Sequence, residues 1–328
     1  MKRLKKIKGD ASLRSFIRKS EKNFSSILVY AKKDKNKNLL IYDSINKILN
    51  KNKILAPLMY EENYKKSFIE IEDFGDQTIY KLLKKTNSKF NYFKKVIKLL
   101  NQIQSIKDKS IKNFKNKRYK IPIYKRKILI QEANLFYDWY VKKNLPKNKS
   151  QKFAKDFRKI ITRLSSKLQL RNNVFVHRDF HVSNLMLVKD QIGIIDSQDA
   201  LKGNKAYDLA SLVDDVRIKT SKGLKNKIYN YYVKKFSETE KKKIKNDFEI
   251  LSVLRNLKII GIFTRLAVRD RKRSYLKLIP YTWSLIQMRL NQNIVFRDLS
   301  AILNKNFKEF IKWKLILQLF YVVGLVKD

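Results

Sequence analysis

Apolar positions in this 328-residue chain recur first in short runs and then at helical spacing. Residues 4–7, 16–17 and 26–31 are brief apolar stretches separated by polar breaks, which predicts strands. Over residues 38–49 the spacing lengthens. Leu39, Leu40, Ile41, Ile45, Ile48 and Leu49 follow a 3.6-residue period, which predicts a helix with one apolar side. Strand-like runs return at 57–61 and 68–72, followed by the turn-rich break Asp73-Phe74-Gly75-Asp76. Helical spacing then dominates over 78–83, 91–106, 125–142 and 150–170. Short strands are predicted at 174–176, 185–188 and 192–195. Helices resume at 206–216, 224–235, 243–268 and 280–290, the last opening on Pro280, where a missing N–H is tolerated. The pattern predicts an α+β organisation: a small β-rich lobe over 1–75, a large mainly helical lobe over 76–290, and an extension over 291–328.

The densest chemistry lies in residues 173–215, NVFVHRDFHVSNLMLVKDQIGIIDSQDALKGNKAYDLASLVDD. An apolar run delivers His177-Arg178-Asp179, and Asn184 follows five residues after the aspartate, the H-R-D-x-x-x-x-N spacing of a kinase catalytic loop. Two short strands later stands Asp196. Phosphoryl transfer from ATP needs a carboxylate to orient or accept the attacking hydroxyl's proton, a role that fits Asp179. It also needs oxygen ligands for Mg²⁺, a hard cation, and Asn184 and Asp196 supply those atom types. His177 reads as a scaffold histidine rather than a proton shuttle, since Asp179 already provides the base. Asp208, early in the helix predicted over 206–216, reads as a brace for the loop backbone.

Near the N-terminus, Gly9, Ala11 and Ser12 lie between two predicted strands. Small residues let backbone N–H groups approach phosphates, so these three are the candidate nucleotide loop, with Arg14 and Arg18 as candidate phosphate neighbours. Protein kinases carry a phosphate-binding lysine on the strand corresponding to 26–31. Here its centre reads Leu28-Val29-Tyr30, and the lysines Lys32 and Lys33 come only after it.

The segments HRDFHVSNLM and GIIDSQDALKGNKAYDLASLVDD resemble the aminoglycoside phosphotransferase and choline kinase superfamily. Together with GDASLRSFIR (9–18), ILIQEANLFYDWY (128–140) and LKIIGIFTRLAVRDRKRSYLKLIP (257–280), they resemble most the bacterial anomeric kinases of N-acetylmuramate and N-acetylglucosamine. The resemblance covers most of residues 1–290. It implies a two-lobed, protein-kinase-like fold, and ATP and Mg²⁺ as cofactors. The implied activity is phosphorylation of a sugar's anomeric hydroxyl, as in cell-wall sugar recycling. It further implies that adenine meets the backbone of residues 70–73, which makes Glu70 and Asp73 nucleotide-site residues. The helix over 125–142 would approach the sugar with Glu132, Asp138 and Trp139. The same branch also lacks the strand lysine. Two alternatives stay open: another small-molecule kinase, for an aminoglycoside or a choline-like amino alcohol, and a basic binding protein that keeps the fold without turnover.

Composition narrows partners and compartment. There is no cysteine, hence no disulfide framework, thiolate zinc site or cysteine nucleophile. The N-terminus is basic but has no apolar signal core, and the longest apolar run, 315–326, is interrupted by Gln318 and too short for a bilayer, so a cytoplasmic protein is expected. Lysine and arginine number 76 against 29 acidic residues, a net charge of +47. The basic residues are spread along the whole chain and do not alternate with aromatics as in a single-strand-binding platform. Nonspecific nucleic-acid association at low salt is expected, without specific recognition. In the extension, Phe307, Phe310, Trp313, Phe320 and Tyr321 stand among lysines. They read as a helix docked on the parent core, with peripheral membrane contact as the alternative.

Overall fold

A computed structural model of the chain describes residues 3–7, 14–22, 24–31 and 38–311, without the side chains of 308–311. The N-terminal strands are β1 (Arg3–Ile7), β2 (Ser15–Glu21) and β3 (Phe24–Tyr30). Helix α1 (Asn38–Lys51) follows, then β4 (Met59–Asn63) and β5 (Phe68–Glu72). The five strands form one antiparallel sheet in the order β1-β2-β3-β5-β4. Alternation places Ile27, Val29, Ile69 and Ile71 on one face, where they pack with Leu39 and Tyr42 of α1. Of the apolar stripe read from the sequence, Leu39 packs on the sheet, Leu40, Ile45, Ile48 and Leu49 are buried, and Ile41 is only half-buried.

The chain continues through α2 (Ile79–Lys85), started by Thr78, whose hydroxyl accepts from Lys81 N at 3.2 Å, and through α3 (Lys89–Ser105). A hairpin of β6 (Ser110–Lys112) and β7 (Arg118–Lys120) was not anticipated; three-residue strands flanked by lysines carry no readable alternation. Next come α4 (Arg126–Leu135), a π-helical segment over Phe136–Val141, the short α5 (Lys142–Asn144) and α6 (Lys147–Ser166). Then follow β8 (Val174–Val176), β9 (Leu185–Val188), β10 (Gln191–Ile194) and β11 (Leu201–Gly203), with β9 pairing β10 and β8 pairing β11. The remaining helices are α7 (Ala206–Val213), α8 (Lys222–Val233), α9 (Glu238–Val268), α10 (Ile279–Leu290) and α11 (Arg297–Ile311). An N-terminal antiparallel sheet with a mainly helical remainder is the α+β class expected.

Packing divides the chain into two compact units, each assembled from separate stretches. The first takes described residues of 1–123, 171–213 and 220–235, and so holds the sheet together with β8–β11 and α7. The second takes those of 124–170, 214–219 and 236–328. Its core is aromatic. The Phe136 ring lies 5.3 Å from Tyr140, 5.6 Å from Phe157, 5.6 Å from Trp283 and 5.9 Å from Phe307. Helix α9 is the spine of this unit, polar at its start and buried nearly all round from Phe248 onward. Gly261 on α9 meets α4 backbone to backbone: a Cβ there would fall 2.3 Å from Leu135 C and O and 2.7 Å from Phe136 N. The contact lies where α geometry gives way to π geometry, so the regular helix expected over 125–142 is replaced by one with a shifted last turn.

Part of the extension belongs to this core. Leu299, Leu303 and Phe307 of α11 are fully buried, with Phe307 against Tyr140 and Trp283 at 5.7 and 5.9 Å. Trp313, Phe320, Tyr321 and the Phe310 side chain lie outside the described residues. Among the described residues no helix is long and apolar enough to cross a membrane.

Candidate active site

Strand β8 ends in the loop that carries His177, Arg178 and Asp179, and α7 holds that loop from below. The buried carboxylate of Asp208 accepts hydrogen bonds from His177 N at 2.7 Å and from Arg178 N at 3.0 Å. Immediately after these anchors Arg178 adopts φ +73°, left-handed backbone that costs an L-residue about 1–2 kcal/mol. Two charge-assisted hydrogen bonds outweigh that cost. The His177 ring is fully buried, and its Nε2–H donates to the Ile195 carbonyl at 3.1 Å, tying the loop to the residue before Asp196. Burial pushes the His177 pKa below the usual histidine value despite the pull of Asp179 and Asp196, so the imidazole is neutral.

Asp179, Asn184 and Asp196 are brought together by main-chain bonds. The Asp179 carbonyl accepts from His181 N at 3.0 Å and from Asn184 Nδ2 at 3.1 Å, closing the loop into a compact turn. Ile195 N donates to the Asn184 carbonyl at 3.0 Å, which sets Asp196 next to that turn. Asp196 itself has φ +63°, and this re-aims its side chain as β10 ends. With the Asn184 amide nitrogen committed to Asp179, its oxygen is the end left for a cation. One carboxylate and one amide oxygen suit Mg²⁺, which takes few protein ligands and completes its shell with water and substrate phosphates. Among the described residues no cluster of three or more His, Cys, Asp or Glu forms a metal cage of its own.

Asp196 also makes a contact that spacing along the chain could not reveal. Arg14 Nη2, from the residue leading into β2, lies 2.5 Å from Asp196 Oδ1, 182 positions further along the chain. Gln198 Nε2 adds a bond to the same oxygen at 3.2 Å. Gly9, Ala11 and Ser12 lie outside the described residues, as do Lys32 and Lys33. Val29, at the centre of the strand corresponding to the one on which protein kinases carry lysine, is fully buried in the sheet core.

The two hinge-side candidates differ in placement. Glu70 sits in mid-strand, in register with Leu28 and Glu61. Its buried carboxylate accepts from Ser26 Oγ at 2.5 Å and from Lys19 at 2.9 Å. Asp73 stands where β5 has ended. It accepts from Gly75 N at 2.9 Å, fixing a turn in which Gly75 takes φ +75°, and it pairs with Arg18 Nε at 2.6 Å. Arg18 reaches Asp76 as well, at 2.9 Å. One guanidinium thus staples β2 to both carboxylates of the Asp73–Asp76 turn, and their pull raises its pKa further.

In the second unit Glu132 accepts from the Tyr124 hydroxyl and forms an ion pair with Lys258 at 3.0 Å. Asp138 is exposed and pairs with Lys142, one turn on, at 3.2 Å. Trp139 is half-buried. Each of the two carboxylates has its own lysine.

A sequence profile of the phosphotransferase enzyme family matches residues 5–240. An N-acetylmuramate/N-acetylglucosamine kinase from Neisseria meningitidis is 26% identical over 282 residues, 83% of this chain and 80% of that protein. One from Pseudomonas aeruginosa is 26% identical over 254 residues, 76% of this chain and 72% of that protein. Among solved structures, a choline/ethanolamine kinase family protein from Mesorhizobium loti superposes with a TM-score of 0.61 at 11% identity, covering 92% of each chain. An ADP-bound aminoglycoside phosphotransferase gives a TM-score of 0.57 at 18% identity, covering 87% of this chain and 92% of that one. The fold is thus the protein-kinase-like one expected from the sequence.

Proposed function

The chain belongs to the phosphotransferase enzyme family and is an ATP-dependent kinase, and we propose that its acceptor is the anomeric hydroxyl of N-acetylmuramate or N-acetylglucosamine. The observation that carries this choice is the activity in the names of its relatives, which align over most of both chains. Electrostatics supports it. Aminoglycosides are polycations and need a surplus of carboxylates, whereas this chain has a net charge of +47. Glu132 and Asp138, the acids that could build a local negative surface, are each paired with a lysine. A neutral or carboxylate-bearing sugar meets no such obstacle.

In this reading Asp179 orients the sugar hydroxyl and takes its proton as the oxygen attacks. Asp208 holds the peptide groups on either side of His177, up to the left-handed Arg178, so that Asp179 enters the site from a fixed backbone. Asn184 and Asp196 would hold Mg²⁺, which when bound offsets the charge of the nucleotide phosphates. Asp73 and its turn would present main-chain groups to adenine, held in place by Arg18.

The test offers N-acetylmuramate, N-acetylglucosamine, choline and kanamycin to the purified protein with Mg-ATP and locates the phosphate by phosphorus NMR. A sugar 1-phosphate is expected from one or both amino sugars. Phosphorylation of kanamycin or choline with neither sugar touched would refute the proposal.

A further inference from the structure

We infer that Arg14 supplies the phosphate-binding cation missing from the centre of β3: its guanidinium passes from Asp196 to the nucleotide's phosphate oxygens when a metal ion takes that carboxylate. The inference rests on the ATP-dependent reading of this site and adds to it a residue that no kinase motif assigns.

Arg14 is 9% exposed, so its guanidinium is a buried cation with five N–H donors. Its plane lies 5.5 Å from the Phe16 ring and 5.7 Å from the Tyr42 ring, on the apolar face shared by the sheet and α1. Burial pushes the Tyr42 phenol up to about 12, so it remains neutral and offers the guanidinium a ring face and no charge. In this structure the guanidinium pairs with Asp196, at 2.5 Å. A buried charge deprived of its counter-ion is strongly unfavourable. A divalent cation on Asp196 would therefore set like charge beside Arg14 unless further anionic oxygens arrived with it. Nucleotide phosphates bring those oxygens and bind the same metal.

Arg14 also stands two residues after Ser12, immediately before β2, so it links the glycine-containing stretch to that strand. Protein kinases reach the phosphates from a lysine in the middle of the next strand. Here the centre of that strand holds the buried Val29, and the cation comes from the residue just before β2, held between two aromatic rings. Asp196 and Arg14 then recognise metal and phosphate as one unit, each relieving the other's charge.

The experiment measures ADP and adenosine binding by calorimetry, in Mg²⁺ and in EDTA, for wild type, Arg14→Met, Asp196→Ala and the double variant. Arg14→Met is expected to weaken ADP binding about tenfold or more, the worth of a charged hydrogen bond, and to leave adenosine unchanged. Asp196→Ala weakens Mg-ADP binding but releases Arg14, so metal-free ADP should bind several-fold tighter than to wild type. That gain should vanish in the double variant. Arg14→Lys, which keeps the charge and most of the stem, should recover part of the loss and replaces Arg14→Met should the latter fail to fold. Equal metal-free ADP affinity in wild type and Asp196→Ala would overturn the inference, as would ADP binding unaffected by loss of the arginine. A wild type that binds neither adenosine nor ADP would instead overturn the nucleotide reading, and this inference with it.

Discussion

Replacing Asp208 by asparagine isolates what the buried brace does, because the side chain keeps its size and loses its charge. In the native loop both carboxylate oxygens are used, one by His177 N at 2.7 Å and one by Arg178 N at 3.0 Å. An amide keeps one acceptor and turns an NH₂ toward the other N–H. One charge-assisted hydrogen bond is lost, about 1.5–3 kcal/mol, and two buried donors face each other, about 1–3 kcal/mol more. The left-handed Arg178 adds about 1–2 kcal/mol of backbone cost that the loop recovers by relaxing, so the native loop shape ceases to be favoured. Asp179 follows Arg178 directly, and a misplacement on the scale of 1 Å costs about a hundredfold in rate. Asp208→Asn should therefore lower kcat about a hundredfold with ADP affinity within threefold of wild type. The measurements are steady-state turnover with Mg-ATP and the best acceptor, calorimetry with ADP, and circular dichroism to establish folding. A folded variant with kcat within a factor of two of wild type would refute the bracing argument.

Asp179→Asn should retain Mg-ATP binding and lose about 10²–10⁴ in turnover, since the amide can hydrogen-bond but cannot take a proton; near-wild-type rates would remove Asp179 from its role. For His177, burial holds the folded pKa below the unfolded value of about 6.5, so the unfolded chain binds this proton first as pH falls. Its contribution to stability is complete above that unfolded value and is lost below it. Unfolding free energy measured in urea should drop from pH 7.5 to 5.5, and His177→Gln should flatten that slope; identical slopes would contradict it. Gly261→Ala puts a methyl group 2.3 Å from the Leu135 main chain, which cannot rotate away. Overpacking of about 1–3 kcal/mol should exceed the gain of about 1 kcal/mol from alanine's helix propensity, and a melting temperature at or above wild type would refute this.

Local regularity accounts for what was legible in the sequence. Helix α1 was read from Leu39, Ile45, Ile48 and Leu49, all buried, because a one-sided apolar face is written at fixed spacing. The H-R-D-x-x-x-x-N loop is legible for a similar reason: Asp179, Asn184 and Asp196 fall within one short stretch, and a loop and hairpin of set length bring them together. The π-helical turn after Leu135 left no such mark. It accompanies a glycine on another helix more than a hundred residues away, and no property of residues 136–141 by themselves shows it. The β6–β7 hairpin escaped because three residues are too few for an alternation. Phe307 reads from the sequence as part of a docked helix, but which rings it meets, in a cluster built from four elements, only packing shows. Charge pairing was the least legible of all. Sequence alone determined which residues carry charge and where the longer periodic elements lie. Only tertiary structure decided that Arg14 meets Asp196, that Arg18 meets Asp73 and Asp76, and that Glu132 is met by Lys258, since an ion pair depends on which elements the fold brings side by side.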